Sequence, residues 1–191
     1  TGLLTNKLYA DGKGPSYTYT IEGKLASRTW ARGLTTTYSY SPLTGEMTNI
    51  AYFGSAPDVS FTFNRAGQQV LITDGTGART FAYNDAMQLV AETNVLAVLE
   101  RNYDSLGRNA GFGVGGNYQV GYGFDGLGRM NSVSSSVASV SFMVNYSYLP
   151  NSDLISGWSN GTVSVVKSYE DHRNLLTGVT NMANGTLISS F

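Results

Sequence analysis

The sequence predicts an all-β protein built from tandem β-hairpin repeats, and three observations support this fold class. Charged residues make up 13% of the 191 residues, whereas Tyr (13), Phe (8) and Gly (23) are abundant. This composition favours strands, because surface helices need more Glu, Lys and Ala. Aromatic residues also recur at an interval of about 21 residues, and a polar turn signal follows each of them. Together these features predict an array of hairpins.

The first strand of most repeats carries an aromatic pair at positions i and i+2, as in Tyr17/Tyr19 and Tyr38/Tyr40, and weaker matches occur at Arg101/Tyr103 and Lys167/Tyr169. The second member of each pair marks one repeat, at spacings of 20 to 24 residues. We therefore expect one array of eight to nine repeats over residues 1–191, as a fragment of a longer repeat region. The repeat-defining aromatics are Tyr19, Tyr40, Phe63, Tyr83, Tyr103, Phe124, Tyr148 and Tyr169.

A turn follows the aromatic, and its residues have distinct physical roles. An Asp or Asn at the first turn position hydrogen-bonds to the turn backbone, and Gly at the fourth position adopts positive φ. This pattern predicts a type I turn closed by a glycine bulge, a common hairpin connection. The turn-defining residues are Asp104, Gly107, Asp125, Gly128, Asn64 and Gly67.

The second strand of each repeat follows the turn, and a second turn signal closes the repeat. Residues 69–73 and 88–92 each place three apolar residues between polar ends, and we interpret them as period-2 strands with one buried face. Asn160-Gly161 and Asn184-Gly185 are closing signals. Each repeat is thus strand, turn, strand, turn, with strands of about 5–7 residues.

Two departures from this pattern predict local irregularity. Met87, Ser152 and Arg173 occupy the position of the turn glycine in three repeats. Those turns must change their geometry or accept strain, because positive φ is unfavourable for such residues. The segment 107–128 is rich in glycine, so we expect bulges, close strand approach or sharper curvature there.

The motifs resemble those of a known family. Tyr-Asp-Ser-Leu-Gly-Arg at 103–108 and Phe-Asp-Gly-Leu-Gly-Arg at 124–129 are similar to the signature of the YD repeat, also called the Rhs repeat. The resemblance covers the chain from about Tyr9 to Phe191. It implies a long sheet of hairpins that spirals into a hollow shell, as in bacterial Rhs toxins, the encapsulating subunits of insecticidal toxin complexes, and teneurins.

The resemblance also implies a function for the chain. In bacteria such shells enclose a C-terminal toxic domain, and a core region after the repeats often has aspartyl self-cleavage activity. No segment here resembles that core or a toxin domain. We therefore expect a secreted or cell-surface wall segment that is not an enzyme, whose partners are flanking repeats or the enclosed cargo.

Several other classes of function find little support. The 12 basic and 13 acidic residues form no basic cluster for nucleic acid, and no apolar run has the length of a membrane span. A single histidine and no cysteine argue against a metal site. Ser159 lies in a Gly-x-Ser-x-Gly pattern, but Asn160-Gly161 and the strand-like residues after it favour a hairpin turn. We assign no catalytic residue and no cofactor.

The alternative hypothesis is a cell-surface binding module that recognises a glycan or a partner protein through exposed aromatic rings. Trp30 and Trp158 are the candidate stacking platforms for such a ligand. Lys is scarce in the chain, so sheet edges would have little charge to protect them from pairing. We therefore also expect self-association through those edges, as an oligomer or a filament.

Overall fold

The computed structural model describes residues 2–138 and 140–191, and within them every regular element is a β-strand. The chain divides into two compact halves, Thr1–Leu96 and Ala97–Phe191. The strands of the N-terminal half are β1 (Ser16–Tyr19), β2 (Leu25–Thr29), β3 (Thr35–Tyr40), β4 (Met47–Ala51), β5 (Val59–Phe63), β6 (Gln69–Asp74), β7 (Gly77–Tyr83) and β8 (Leu89–Thr93). Those of the C-terminal half are β9 (Val98–Tyr103), β10 (Asn109–Val114), β11 (Tyr118–Phe124), β12 (Met130–Val137), β13 (Val140–Tyr148), β14 (Ile155–Ser159), β15 (Val163–Tyr169), β16 (Leu176–Ala183) and β17 (Thr186–Ser190).

Within each half, every strand pairs antiparallel with the next strand along the chain, from β1 to β8 and from β9 to β17. A register shift recurs at the repeat-defining aromatic, as between Thr62 and Phe63 or between Ser168 and Tyr169. The shift places an extra residue in the second strand, which is the bulge that a turn closed by glycine produces. The predicted all-β fold of tandem hairpins is confirmed.

The two faces of the N-terminal sheet differ in chemistry. Cross-strand partners point to the same face, so the register assigns side chains to faces. One face carries the aromatic pairs together with aliphatic residues such as Ile50 and Ile72. The other face is lined by small side chains, mostly hydroxyls, among them Thr18, Ser27, Thr37, Ser39, Ser60, Thr62, Thr73 and Thr80.

The C-terminal sheet shows the same division. Tyr122, Val133 and Val144 share one face in adjacent strands. The opposite face is lined by serine and glycine, including Gly111, Gly121, Gly123, Ser132, Ser134, Ser136, Ser141, Ser164 and Ser168. A period-2 pattern of aromatic and small residues in the sequence therefore produces one aromatic and one small-residue face in each half.

In the described part of each half, the strands form a single sheet without a conventional hydrophobic core. Among these residues, strands contact only their neighbours along the chain, and no second layer of strands covers either face. Among the described residues, Val165 (8% exposed) is the buried hydrophobic side chain, and none is completely enclosed. The repeat-defining aromatics are half-buried. The stability of each half must therefore come largely from hydrogen bonds and side-chain contacts between neighbouring strands rather than from packing between layers.

The glycine-rich segment has the predicted bulge and close approach. The register shifts between Asn109 and Gly111, and Gly111 has φ +138°. A Cβ atom at Gly111 would collide with the carbonyl oxygen of Val120. Strand lengths range from 4 to 9 residues, which is wider than the expected range of about 5–7 residues.

Candidate functional site: a ladder of hairpin turns

The turns after the repeat-defining aromatics share one hydrogen-bond pattern. In the turn that begins at Asp125, its N–H donates to the carbonyl of Arg129 at 2.9 Å, and Gly128 N–H donates to the carbonyl of Asp125 at 3.0 Å. The same two bonds occur in the turns that begin at Thr20, Asn64 and Asp104. Gly128 has φ +85°, which L-residues rarely adopt.

The side chain of the first turn residue secures this geometry. Asp125 Oδ1 accepts from the backbone N–H groups of Leu127 and Arg129, both at 2.9 Å. Asp104 Oδ1 makes the equivalent two bonds, and Asn64 Oδ1 accepts from Ala66 and Gln68 at 2.9 and 3.0 Å. One acceptor therefore satisfies two backbone donors inside each turn.

An arginine at the end of the turn joins the acid to the next repeat. Arg129 Nε donates to Asp125 Oδ2 at 2.7 Å, and Arg108 Nε does the same to Asp104. The Arg108 guanidinium carbon lies 4.1 Å from the centre of the Phe124 ring, and that of Arg129 lies 4.3 Å from the Tyr148 ring. These distances are those of cation–π contacts. Each arginine thus binds its own turn and the aromatic of the following repeat.

The side chain of the fifth turn residue also hydrogen-bonds the backbone of the next turn. Arg129 Nη1 donates to the carbonyl oxygen of Ser152. In the N-terminal half, Lys24 Nζ donates to the carbonyl of Gly45 at 2.5 Å, and Gln68 Nε2 donates to that of Met87 at 2.9 Å. The chemistry varies, but each side chain reaches a carbonyl one turn further along. We call this series of bonds the turn ladder.

The pKa values of the two turn aspartates reflect these contacts. Desolvation raises the pKa of Asp104, but hydrogen bonds from Arg108 and Leu106 and the charge of Arg108 outweigh it and lower the pKa overall. The pKa of Asp125 is lowered in the same way, with Arg129 and Leu127 as the donors. Both carboxylates are therefore held in their charged form, which suits an ion pair rather than acid–base catalysis.

The repeat-defining tyrosines form a second series of links between repeats. The hydroxyl of Tyr83 donates to the carbonyl of Gln69, the first residue of β6, at 2.9 Å. Tyr19, Tyr40, Tyr148 and Tyr169 donate to the carbonyls of Leu4, Leu25, Met130 and Ile155, respectively, at 2.6–2.9 Å. Phe63 and Phe124 have no hydroxyl and lack this link. Burial raises the pKa of Tyr40, so its donor hydroxyl stays protonated.

The turns that lack the glycine differ in which residue adopts positive φ. Met87 keeps the standard hydrogen bonds and adopts positive φ (+62°) itself. The turn at Leu149 is one residue longer, and Asn151 takes the positive φ in place of Ser152. The turn at Glu170 is also longer, with positive φ at His172 and Asn174 instead of Arg173. Strain and altered geometry, the two expected outcomes, both occur.

The two tryptophans differ in their surroundings. The guanidinium carbon of Arg28 lies 3.4 Å from the centre of the Trp30 ring, which is 41% exposed. Arg28 therefore occupies one face of the ring that a ligand would use. Trp158 lies on β14, where it is half-buried between its cross-strand partners Tyr146 and Val165.

The described part of the chain offers little support for a metal site, a membrane-spanning helix or a catalytic serine. No group of three or more acids, histidines or cysteines there has the arrangement of a metal site, and no helix there is long and apolar enough to cross a membrane. Ser159 ends β14, and its Oγ accepts from Gly161 N–H at 3.1 Å within a hairpin turn. A shallow groove of about 370 Å³ in the C-terminal half is lined by Ser, Gly, Asn, Gln and apolar side chains without a titratable group.

Sequence reasoning missed the residues that connect one repeat to the next. The Gly-Arg dipeptide at 107–108 and 128–129 was visible, but the sequence does not show that each arginine stacks on an aromatic some 16–19 residues later. It also missed the turn that begins at Trp30, which has the same two hydrogen bonds at the other end of β2. The available signal was Gly33, three residues after Trp30.

Comparison with solved structures gives the same fold in toxin proteins. The chain is similar to TcdB2-TccC3-TEV (TM-score 0.64, 14% identity) and to TcdB2-TccC3-Cdc42 (0.52, 18%), in each case over 93% of its length. It is also similar to the Tc holotoxin pore of Photorhabdus luminescens (0.52, 18%) over 91%. These structures contain Rhs/YD-repeat shell proteins, so the fold supports the resemblance that the motifs indicated.

The match covers a small part of each of these larger proteins. The chain spans 9–11% of the length of the three chains that it resembles. No protein-family model and no curated protein matches its sequence. The comparison therefore shows a shared hairpin-repeat fold, because identities of 14–18% support a statement about the fold alone.

Proposed function

We propose that this chain is a non-enzymatic wall segment of an Rhs-type shell that encloses or displays a toxin or another cargo outside the cell. The observation that carries the proposal is that each half is a single-layer sheet whose hairpins are joined by side-chain bonds from repeat to repeat. Its structural neighbours, which are shell proteins of toxin complexes, support the same role. The flanking repeats and the cargo would be its partners.

The geometry suits a wall for a physical reason. In a layered domain, stability depends on a closed core, but here each repeat depends on contacts with its neighbours. Repeats can then be added without changing the local structure, and a sheet one layer thick encloses the largest volume per residue. Both faces remain accessible, so that one can face the cargo and the other the solvent.

Protease protection tests this proposal in the natural polypeptide that carries the segment. A shell predicts that a segment outside the repeat array resists a protease concentration that digests the same segment produced separately. Mild denaturant that opens the array should abolish the protection. Equal digestion of the enclosed and the separate segment would contradict the shell, and electron microscopy of the same sample would show whether a hollow particle is present.

A glycan array distinguishes the alternative binding module. The chain offers Trp30 and Trp158 as stacking platforms, but Arg28 lies against the first ring and cross-strand neighbours flank the second. The shell proposal predicts no saturable glycan binding at either ring. Binding that is lost in Trp30→Ala or Trp158→Ala, while the fold is retained, would instead favour the binding module.

A further inference from the structure

We propose that Asn184 is a site of spontaneous deamidation, and that the fold protects the other Asn-Gly sequence of the chain. Asn160-Gly161-Thr162 and Asn184-Gly185-Thr186 are identical tripeptides. In an unfolded chain they would react alike, because the residue after Asn largely sets the intrinsic rate. A difference between them in the folded protein must therefore come from structure.

The reaction needs a mobile side chain and an available amide. The backbone nitrogen of Gly185 attacks Cγ of Asn184 as its proton passes to water, and the Cγ–Nδ2 bond breaks to release ammonia. Water then opens the resulting succinimide ring at either carbonyl, which yields aspartate or isoaspartate. The net change consumes water and converts an amide into a carboxylate without oxidation or reduction.

Asn160 is restrained at both reacting groups. Its Oδ1 accepts from the backbone N–H groups of Thr162 and Val163 at 3.0 and 2.7 Å. The attacking nitrogen of Gly161 donates its hydrogen to Ser159 Oγ at 3.1 Å. All three bonds must break before Cγ can approach that nitrogen, so the fold opposes the reaction.

Asn184 has none of these restraints from the residues that the structure describes. It lies exposed in the turn between β16 and β17, and its own N–H donates to the carbonyl of Thr162 at 2.7 Å. Within residues 2–138 and 140–191, its side chain and the N–H of Gly185 have no hydrogen-bond partner. Asn184 and Gly185 both have positive φ (+47° and +77°), which defines a tight two-residue turn.

The product would change the outermost strand of the C-terminal sheet. Isoaspartate inserts an extra methylene into the main chain between positions 184 and 185. A two-residue turn cannot accommodate the extra atom without a change of backbone geometry. The cross-strand pair Ala183–Thr186 flanks the turn and would be disturbed first. Deamidation should therefore loosen β17 and add a negative charge beside it.

Peptide mapping by mass spectrometry of the aged, purified chain tests the proposal. In the folded chain, conversion at Asn184 should be about tenfold or more faster than at Asn160, since the three hydrogen bonds that restrain Asn160 and Gly161 must break first. In concentrated urea the two rates should converge. Comparable rates in the folded chain, or faster conversion of Asn160, would overturn the proposal.

Two variants sharpen the test. Ser159→Ala removes the acceptor of the Gly161 N–H, so conversion of Asn160 should rise while that of Asn184 stays unchanged. Asn184→Gln should remove the fast phase and leave the rate at Asn160 as before. In the isoaspartate-containing fraction, hydrogen exchange of β17 should be faster than in fresh protein, and unchanged exchange would refute the loosening of the strand.

Discussion

At the scale of single residues, the tyrosine hydroxyls provide links that the aromatic rings alone do not. Tyr83→Phe removes the bond to the Gln69 carbonyl and should lower the free energy of unfolding by about 0.5–1.5 kcal/mol. Urea titration measures this change. Tyr38→Phe is the matched control, because no described residue bonds the Tyr38 hydroxyl. Equal effects of the two substitutions would show that the hydroxyl bond contributes nothing.

The reverse substitution, from phenylalanine to tyrosine, should create the same hydroxyl–carbonyl bond in a repeat that lacks it. Phe63 occupies the repeat-defining position, and the equivalent acceptor is the carbonyl of Met47, the first residue of β4. Phe63→Tyr should therefore stabilise the chain by up to about 1 kcal/mol in the same titration. A loss of stability would mean that this carbonyl is not placed like that of Gln69.

The turn aspartates give a prediction about pH. Their pKa values are lower in the folded chain than the value of about 3.9 for unfolded Asp. The stabilisation is therefore complete above pH of about 4 and is lost as the pH falls through the folded pKa values. Asp104→Asn with Asp125→Asn should lower stability at neutral pH and flatten its decline in acid. Parallel pH curves for parent and variant would contradict this account.

At the scale of the hairpin element, the fourth turn position controls stability through its backbone. Gly67→Ala places a Cβ at φ +77° and should destabilise the chain by about 1 kcal/mol. Met87→Gly should do the opposite by a similar amount, because Met87 adopts φ +62° and is 67% exposed. Gly126→Ala is the control, since its φ is not positive and its Cβ would meet no atom.

Gly67→Ala and Met87→Gly should shift the midpoint of urea unfolding in opposite directions, and Gly126→Ala should shift it little. If Met87→Gly also destabilises the chain, the packing of the methionine side chain outweighs the strain of its backbone. The result matters for the repeat as a whole, because it decides whether turns without glycine are weak points of the array.

At the scale of the whole molecule, we expect the isolated 191-residue chain to self-associate through the outer edge of β17. That strand carries no charge, and Leu187 and Ile188 are exposed. Phe191 exchanges both hydrogen bonds with Val179, so the N–H of the preceding residue, Ser190, points away from β16. Light scattering should therefore show a mass that rises with concentration.

A substitution at that edge should reduce the association. Ser190→Pro removes the outward donor and leaves the bonds to β16 in place, so the mass should approach that of a monomer. Ser190→Ala keeps the donor and should associate like the parent. A monomeric parent at all concentrations would refute edge pairing.

The fold was largely readable from the sequence because its determinants are local. Turn residues such as Asn64 and Gly67 act within five positions of one another, and the i, i+2 aromatics report strand alternation directly. The turn ladder was not readable, because the partners of each bond, such as Lys24 and Gly45, lie in different repeats. The Trp30 turn was missed for a different reason, since its single glycine does not stand out in a chain with 23 of them.

The sequence by itself determined the all-β class, the repeat length, the turn positions and the resemblance to YD repeats. The tertiary structure decided how the repeats are joined: which carbonyl each tyrosine reaches, which ring each arginine covers, and which Asn-Gly is left unrestrained. The physical reason is distance along the chain. Turn and strand preferences act over a few residues, whereas bonds between repeats depend on a register that bulges such as the one at Phe63 set only when neighbouring strands have paired.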